Sequence, residues 1–159
     1  MKKSIFAISI ILVAIVAIGS VSAFDLGSLF GGSDDSSQNQ TVTIAGIDFN
    51  VPAGYNEDTN QSIVNQTVEE NGFTITNNLK AFINSNNTVV AILVAEYKEF
   101  NITDDIVGIV AGDAKTINNV SGYMKTDDNN YKVFSYIKDN KLVVISTNNE
   151  NVIGDFIKE

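Results

Sequence analysis

The chain has 159 residues, a net charge of −9 at pH 7, and no Cys, His, Trp or Arg. Those absences exclude a disulfide framework and a thiolate zinc site, a Ser-His-Asp triad or imidazole base, and a guanidinium clamp for phosphate. The acidic balance argues against nucleic acid as a partner, because a polyanion calls for a basic footprint.

The N-terminus reads Met1-Lys2-Lys3, then an uncharged stretch from Ser4 to Phe24, then Asp25. Its most apolar part, Ile5 to Ile18, leads into Gly19-Ser20-Val21-Ser22-Ala23, which puts Val21 and Ala23 at the −3 and −1 positions of a cleavage site. A basic start, an apolar centre and a small-residue exit describe a secretory signal peptide over 1–23. A retained anchor fits as well, since about 20 apolar residues cross a hydrocarbon core of about 30 Å. On either reading the rest of the chain lies outside the cytoplasmic membrane, and residues 4–24 hold it there if they are not cleaved. If Lys2 and Lys3 leave with the leader, eight lysines face 19 acids, a net of −11. Residues 24–40 turn from apolar to Gly, Ser, Asp and Gln, the composition of a flexible linker.

A single domain is expected over 41–159. Thr41 to Ile44 and Ile47 to Val51 alternate around Ala45-Gly46, a hairpin signal. Pro52-Ala53-Gly54-Tyr55 stops it, and the polar residues 56–72 read as loop with one short helix at most. Phe73, Ile75, Leu79, Ala81 and Ile83 share one parity, as a half-buried strand requires. Val89 to Ala95, apolar on both faces, belongs at a sheet centre. Thr103-Asp104-Asp105, the stripe Ile106, Val107, Ile109 and Val110, and Gly112 spell a helix from cap to stop. Tyr131 to Ile137 and Leu142 to Ile145 flank Lys138-Asp139-Asn140-Lys141, a hairpin. Asn149-Glu150 then caps a short helix with Val152, Ile153, Phe156 and Ile157 on its apolar face. The order predicts an α+β fold, an antiparallel β-sheet with one or two helices packed on one face, preceded by an N-terminal hydrophobic helix. A β-sandwich is the second architecture it allows.

Six Asn-x-Ser/Thr sequons occur, at Asn39, Asn60, Asn65, Asn86, Asn101 and Asn119, all in stretches read as tether, loop, turn or cap. With an export leader these are glycosylation candidates. Paired acids stand at Asp34-Asp35, Glu57-Asp58, Glu69-Glu70, Asp104-Asp105 and Asp127-Asp128. Asp127, Asp128 and Asn129 form a weak calcium candidate, since calcium takes six to eight oxygens and one turn supplies few of them. A hydrated turn accounts for the same residues. Tyr55, on a loop beside Pro52 and Gly54, is the candidate for surface contact. No spacing places Lys80, Lys115 and the serines in a Ser-Lys site, and no cofactor motif is present. The readings that remain are a non-catalytic cell-envelope binding or interaction module, its partner an envelope protein or glycan, and a structural or protective glycosylated surface protein. An exported hydrolase using carboxylates ranks third.

Ile47-Asp48-Phe49-Asn50-Val51-Pro52-Ala53-Gly54-Tyr55, then Ile117 to Tyr123, Phe134-Ser135-Tyr136 and Leu142 to Ile145, resemble small exported or membrane-anchored proteins of unknown function from methanogenic archaea. More distantly, the strand and turn at 47–55 and the element order are similar to PsbP/Mog1-like α+β proteins. Neither resemblance implies catalytic residues.

Overall fold

The computed structural model describes residues 37–70, 73–109 and 111–158. The expected leader lies outside them, as does most of the linker. Among the described residues no helix is long and apolar enough to cross a membrane.

Strands form where alternate side chains can be buried. β1 (Gln40–Ile44) and β2 (Ile47–Val51) make the expected hairpin. Ala45 and Gly46 turn it with φ of 48° and 82°, the two left-handed residues that a tight hairpin turn needs. β3 (Tyr55–Glu57), β4 (Ile63–Glu70), β5 (Phe73–Asn84), β6 (Val89–Tyr97), β7 (Asp113–Ile117), β8 (Val120–Thr126), β9 (Lys132–Lys138) and β10 (Lys141–Thr147) form one antiparallel sheet. Its order is β3-β5-β6-β10-β9-β8-β7, with β4 also paired to β5.

The apolar run of β6 is central, as its two apolar faces require. It pairs with β10 through Leu142↔Ala95, Val143↔Val94, Val144↔Leu93 and Ile145↔Ile92. Both sheet faces therefore need cover. On one face Ile75, Leu79, Leu93, Leu142 and Val144 pack beneath the connection between β6 and β7, which supplies Ile102, Val107 and Ala111. On the other, Val90, Ile92, Val94, Phe134, Val143 and Ile145 are covered by Ile44, Ile47, Phe49 and Val51 of the first hairpin and by Ile153, Phe156 and Ile157 near the C-terminus. Each fully buried aliphatic or aromatic side chain here contributes about 1.5–3 kcal/mol.

The α+β expectation is overturned: the chain is mostly antiparallel β. Among the described residues the α-helices, α1 (Asp104–Gly108) and α2 (Ile153–Phe156), are a turn or so long, as are the 3-10 turns Thr59–Gln61 and Glu150–Val152. The two α-helices also lie on opposite faces, Val107 in one apolar layer and Ile153 and Phe156 in the other. Stripes this short cannot offset the cost of nucleating a longer helix. Thr103 does take the N-cap position of α1, though its side chain makes no capping bond. Asn149 caps the 3-10 turn before α2 by accepting from the Asn151 N–H at 3.2 Å. Packed β layers, the second architecture, is the nearer of the two expectations, with the β1–β2 hairpin laid on one face of the large sheet.

Residues 56–72, expected as loop with one short helix at most, yield most of β3, a 3-10 turn and the unforeseen strand β4. A bulge between Ile63 and Gln66, with Asn65 at φ 50°, explains why β4 hides in the sequence. The bulge shifts the register, so that odd-numbered Ile63 lies opposite Leu79 and even-numbered Val68 opposite Ile75, on the same face.

The turns at 45–46, 118–119 and 139–140 gather at one end of the sheet with the C-terminus. Lys141 Nζ donates to the Ala45 carbonyl, Lys138 Nζ to that of Lys158, and Asn118 Nδ2 to that of Gly154. The turns at 52–54, 85–88 and 127–130 lie at the other end, where the chain enters at Ser37.

Candidate functional site

At the entry end, Ser37 to Val42 run past Val51, β3 and Phe82 and leave a cleft of about 570 Å³. That volume falls within the ~300–1,000 Å³ of small-ligand sites. Local chemistry builds each wall. Gly54, at φ 86°, turns the chain sharply after Pro52, and the Tyr55 N–H donates to the Pro52 carbonyl at 3.3 Å. The Ala53 N–H donates to Asn39 Oδ1 at 2.9 Å, which ties the entering segment to this turn. β3 then pairs with the end of β5, Tyr55 opposite Asn84 and Glu57 opposite Phe82.

The lining is rich in hydrogen-bonding groups and nearly free of net charge. Gln38, Asn39, Gln40 and Asn56 supply side-chain amides, Ser37 and Thr41 hydroxyls, and Val42, Val51, Tyr55 and Phe82 apolar surface. The carboxylate, Glu57, accepts from Lys80 Nζ at 2.8 and 2.9 Å and from Ser62 Oγ at 3.2 Å. Its charge is thus matched inside the fold. The Ser62 hydroxyl and the Lys80 ammonium both donate to Glu57 Oε1, and Lys115 pairs with Glu150.

Tyr55 is not the free surface aromatic expected from its loop sequence. It is 6% exposed and its ring meets Phe156 edge-on at 5.0 Å. The reason is pairing: as the first residue of β3 it points into the apolar layer shared with Phe82. Burial pushes its phenol up, with a hydrogen bond to Thr88 opposing the shift. What Tyr55 offers the cleft is a wall.

The weak calcium candidate resolves as a self-contained turn. Asp127 Oδ1 accepts from the N–H groups of Asn129 at 2.9 Å and Tyr131 at 2.8 Å, and the Asp127 N–H donates to the Tyr131 carbonyl. Asp127 is engaged in shaping the β8–β9 connection, and Asp128 and Asn129 are exposed beside it. Among the described residues no three acidic side chains converge as a metal site would require. Of the other acid pairs, Asp34-Asp35 lies outside the described residues, and Asp58 caps the first 3-10 turn through the Asn60 N–H at 3.1 Å.

All six sequon asparagines are exposed. Asn39 stands at the entry end and Asn86 in the β5–β6 turn. Asn60 and Asn65 lie along the β3–β4 edge, and Asn101 and Asn119 near the opposite end. Only Asn39 lines the cleft. No motif marks Gln38, Gln40 or Asn56. The one local hint of this site was the Pro52-Ala53-Gly54 reversal, which brings β3 back beside the end of the tether.

No family model, curated protein or solved structure matches the chain.

Proposed function

We propose that the chain is an exported, non-catalytic cell-envelope module that binds a neutral, polyhydroxylated ligand, such as a short glycan, in the cleft between Ser37–Val42 and β3. The observation that carries this reading is the lining: four side-chain amides and two hydroxyls around apolar and aromatic surface, with its carboxylate neutralised by Lys80. Amides and hydroxyls exchange hydrogen bonds with sugar hydroxyls, and aromatic and aliphatic walls cover the sugar's apolar faces. A charged ligand would find no unmatched partner there.

The test is calorimetric titration of non-glycosylated protein with neutral oligosaccharides, and with peptides and divalent ions as comparators. Saturable oligosaccharide binding that weakens about tenfold, or 1.4 kcal/mol, in Asn56→Ala and Gln40→Ala is expected. Oligosaccharide binding that ignores both substitutions, or binding of the comparators alone, would overturn the reading.

A second reading, a structural or protective glycosylated surface protein, draws on a different observation. Six exposed sequons spread over both ends and one edge would clothe an acidic domain in glycan. The intact mass of protein from its native cell reports that coat directly, along with the fate of residues 1–23.

A further inference from the structure

Asn39 is where a modification signal and the cleft coincide. It opens the sequon Asn39-Gln40-Thr41, it is exposed, and it lines the cleft with Tyr55, Asn56 and Glu57. The other five sequon asparagines stand away from it. Its amide is also held: Oδ1 accepts from the Ala53 N–H at 2.9 Å, which leaves Nδ2 as the atom open to reaction. Glycosylation at Nδ2 produces a secondary amide that keeps its carbonyl oxygen, so the tie to Ala53 survives the reaction.

We propose that Asn39 is glycosylated and that the first sugars of its glycan lie in the cleft, making the modification an intramolecular occupant that competes with free ligand. The donor is a lipid-pyrophosphate-linked oligosaccharide of the exporting cell. Asn39 Nδ2 bonds to C1 of the first sugar, the bond from C1 to the pyrophosphate oxygen breaks, the lipid pyrophosphate departs, and one amide proton is lost to the transferase. No oxidant or reductant is needed. The lining that suits a polyhydroxylated ligand suits this one too, and tethering raises its local concentration to the millimolar range or above. The competition rests on the function proposed above, whereas the placement of the glycan does not.

The experiment uses the full chain expressed in a host that glycosylates exported proteins, compared with Thr41→Val. That variant removes the sequon while keeping Asn39 and its bond to Ala53. Thr41→Ser, which keeps both the sequon and the hydroxyl that accepts from Lys158 Nζ, controls for substitution at this position. Glycopeptide masses are expected to show Asn39 occupied in wild type and Thr41→Ser. Amide hydrogen exchange across 53–57 is expected to be slower in those two than in Thr41→Val. With maltotriose as the free probe, wild type made in a host that does not glycosylate is expected to bind at least about tenfold more tightly than glycosylated wild type. An unmodified Asn39, or an occupied Asn39 with exchange across 53–57 unchanged, would overturn the proposal. If exchange slows while non-glycosylated wild type fails to bind any neutral oligosaccharide, the glycan's placement stands and the ligand-binding function and its competition fall.

Discussion

Ile92 lies in the middle of β6, fully buried, opposite Ile145 on β10 and packed within the layer that holds Phe134 and Phe156. Ile92→Asp would place a carboxylate there without a partner, a change that costs several kcal/mol and exceeds the margin of a domain this size. Loss of the cooperative thermal transition is the expected outcome, and a wild-type melting temperature would refute the assignment of β6 to the sheet centre. Burial acts on the phenols in the same direction. Tyr97 and Tyr136, each 3% exposed on opposite faces, have their ionisation pushed far above the ordinary value near 10 by desolvation. A raised folded value means the native state holds the proton while the unfolded state releases it. The stability involved is intact below pH 10 and drains away as pH rises beyond it. In an alkaline spectrophotometric titration these two phenolates are expected to appear together with unfolding. Smooth ionisation of Tyr97 and Tyr136 in the folded protein would contradict the burial.

Among the elements, the β9–β10 hairpin shows how a turn can serve two parts of the molecule. Asp139 and Asn140 both have positive φ, 51° and 59°, and Asn140 Oδ1 accepts from the Ile102 N–H at 3.2 Å. The turn thereby anchors the connection that roofs one apolar face. Asn140→Ala is expected to lose both the tolerated left-handed backbone and the anchor, about 1–3 kcal/mol. Asn140→Gly keeps the backbone and loses only the anchor. The glycine variant should therefore melt between wild type and alanine, with faster amide exchange across 98–103. Equal melting temperatures for the two variants would show that only the anchor matters. This hairpin, like β1–β2 and the run 89–95, was legible because alternation and turn chemistry sit next to each other in sequence. β4 was not, because its bulge breaks the parity that reveals a strand. The helical stripes were read too generously as helices: Ile153, Phe156 and Ile157 are buried as expected, whereas in the first stripe Val107 is buried and Ile109 is 60% exposed. One turn sufficed once a sheet face was there to receive Val107 or Phe156.

For the whole molecule, the cleft was invisible to sequence reasoning because Ser37–Val42, Val51–Glu57 and Phe82 come together only when the first hairpin is laid across the large sheet. No short motif encodes that meeting. The sheet itself has two halves: β3, β4, β5 and β6 on one side, with β3 and β4 both paired to β5, and the meander β7, β8, β9 and β10 on the other, joined along the β6–β10 contact by seven residue pairs. Only one covalent connection, residues 98–112, crosses from one half to the other. A cut between Phe100 and Asp104 should thus leave two halves that stay together as a non-covalent heterodimer, since the pairs from Leu142↔Ala95 to Ile145↔Ile92 are apolar on both faces and neither half can bury them alone. Size exclusion under native conditions would show one species and denaturing electrophoresis two. Halves that drift apart as soluble monomers would mean that the junction is far weaker than its pairing implies. If they hold, the chain could be supplied as two complementary pieces whose reunion reports on any event that brings them within reach.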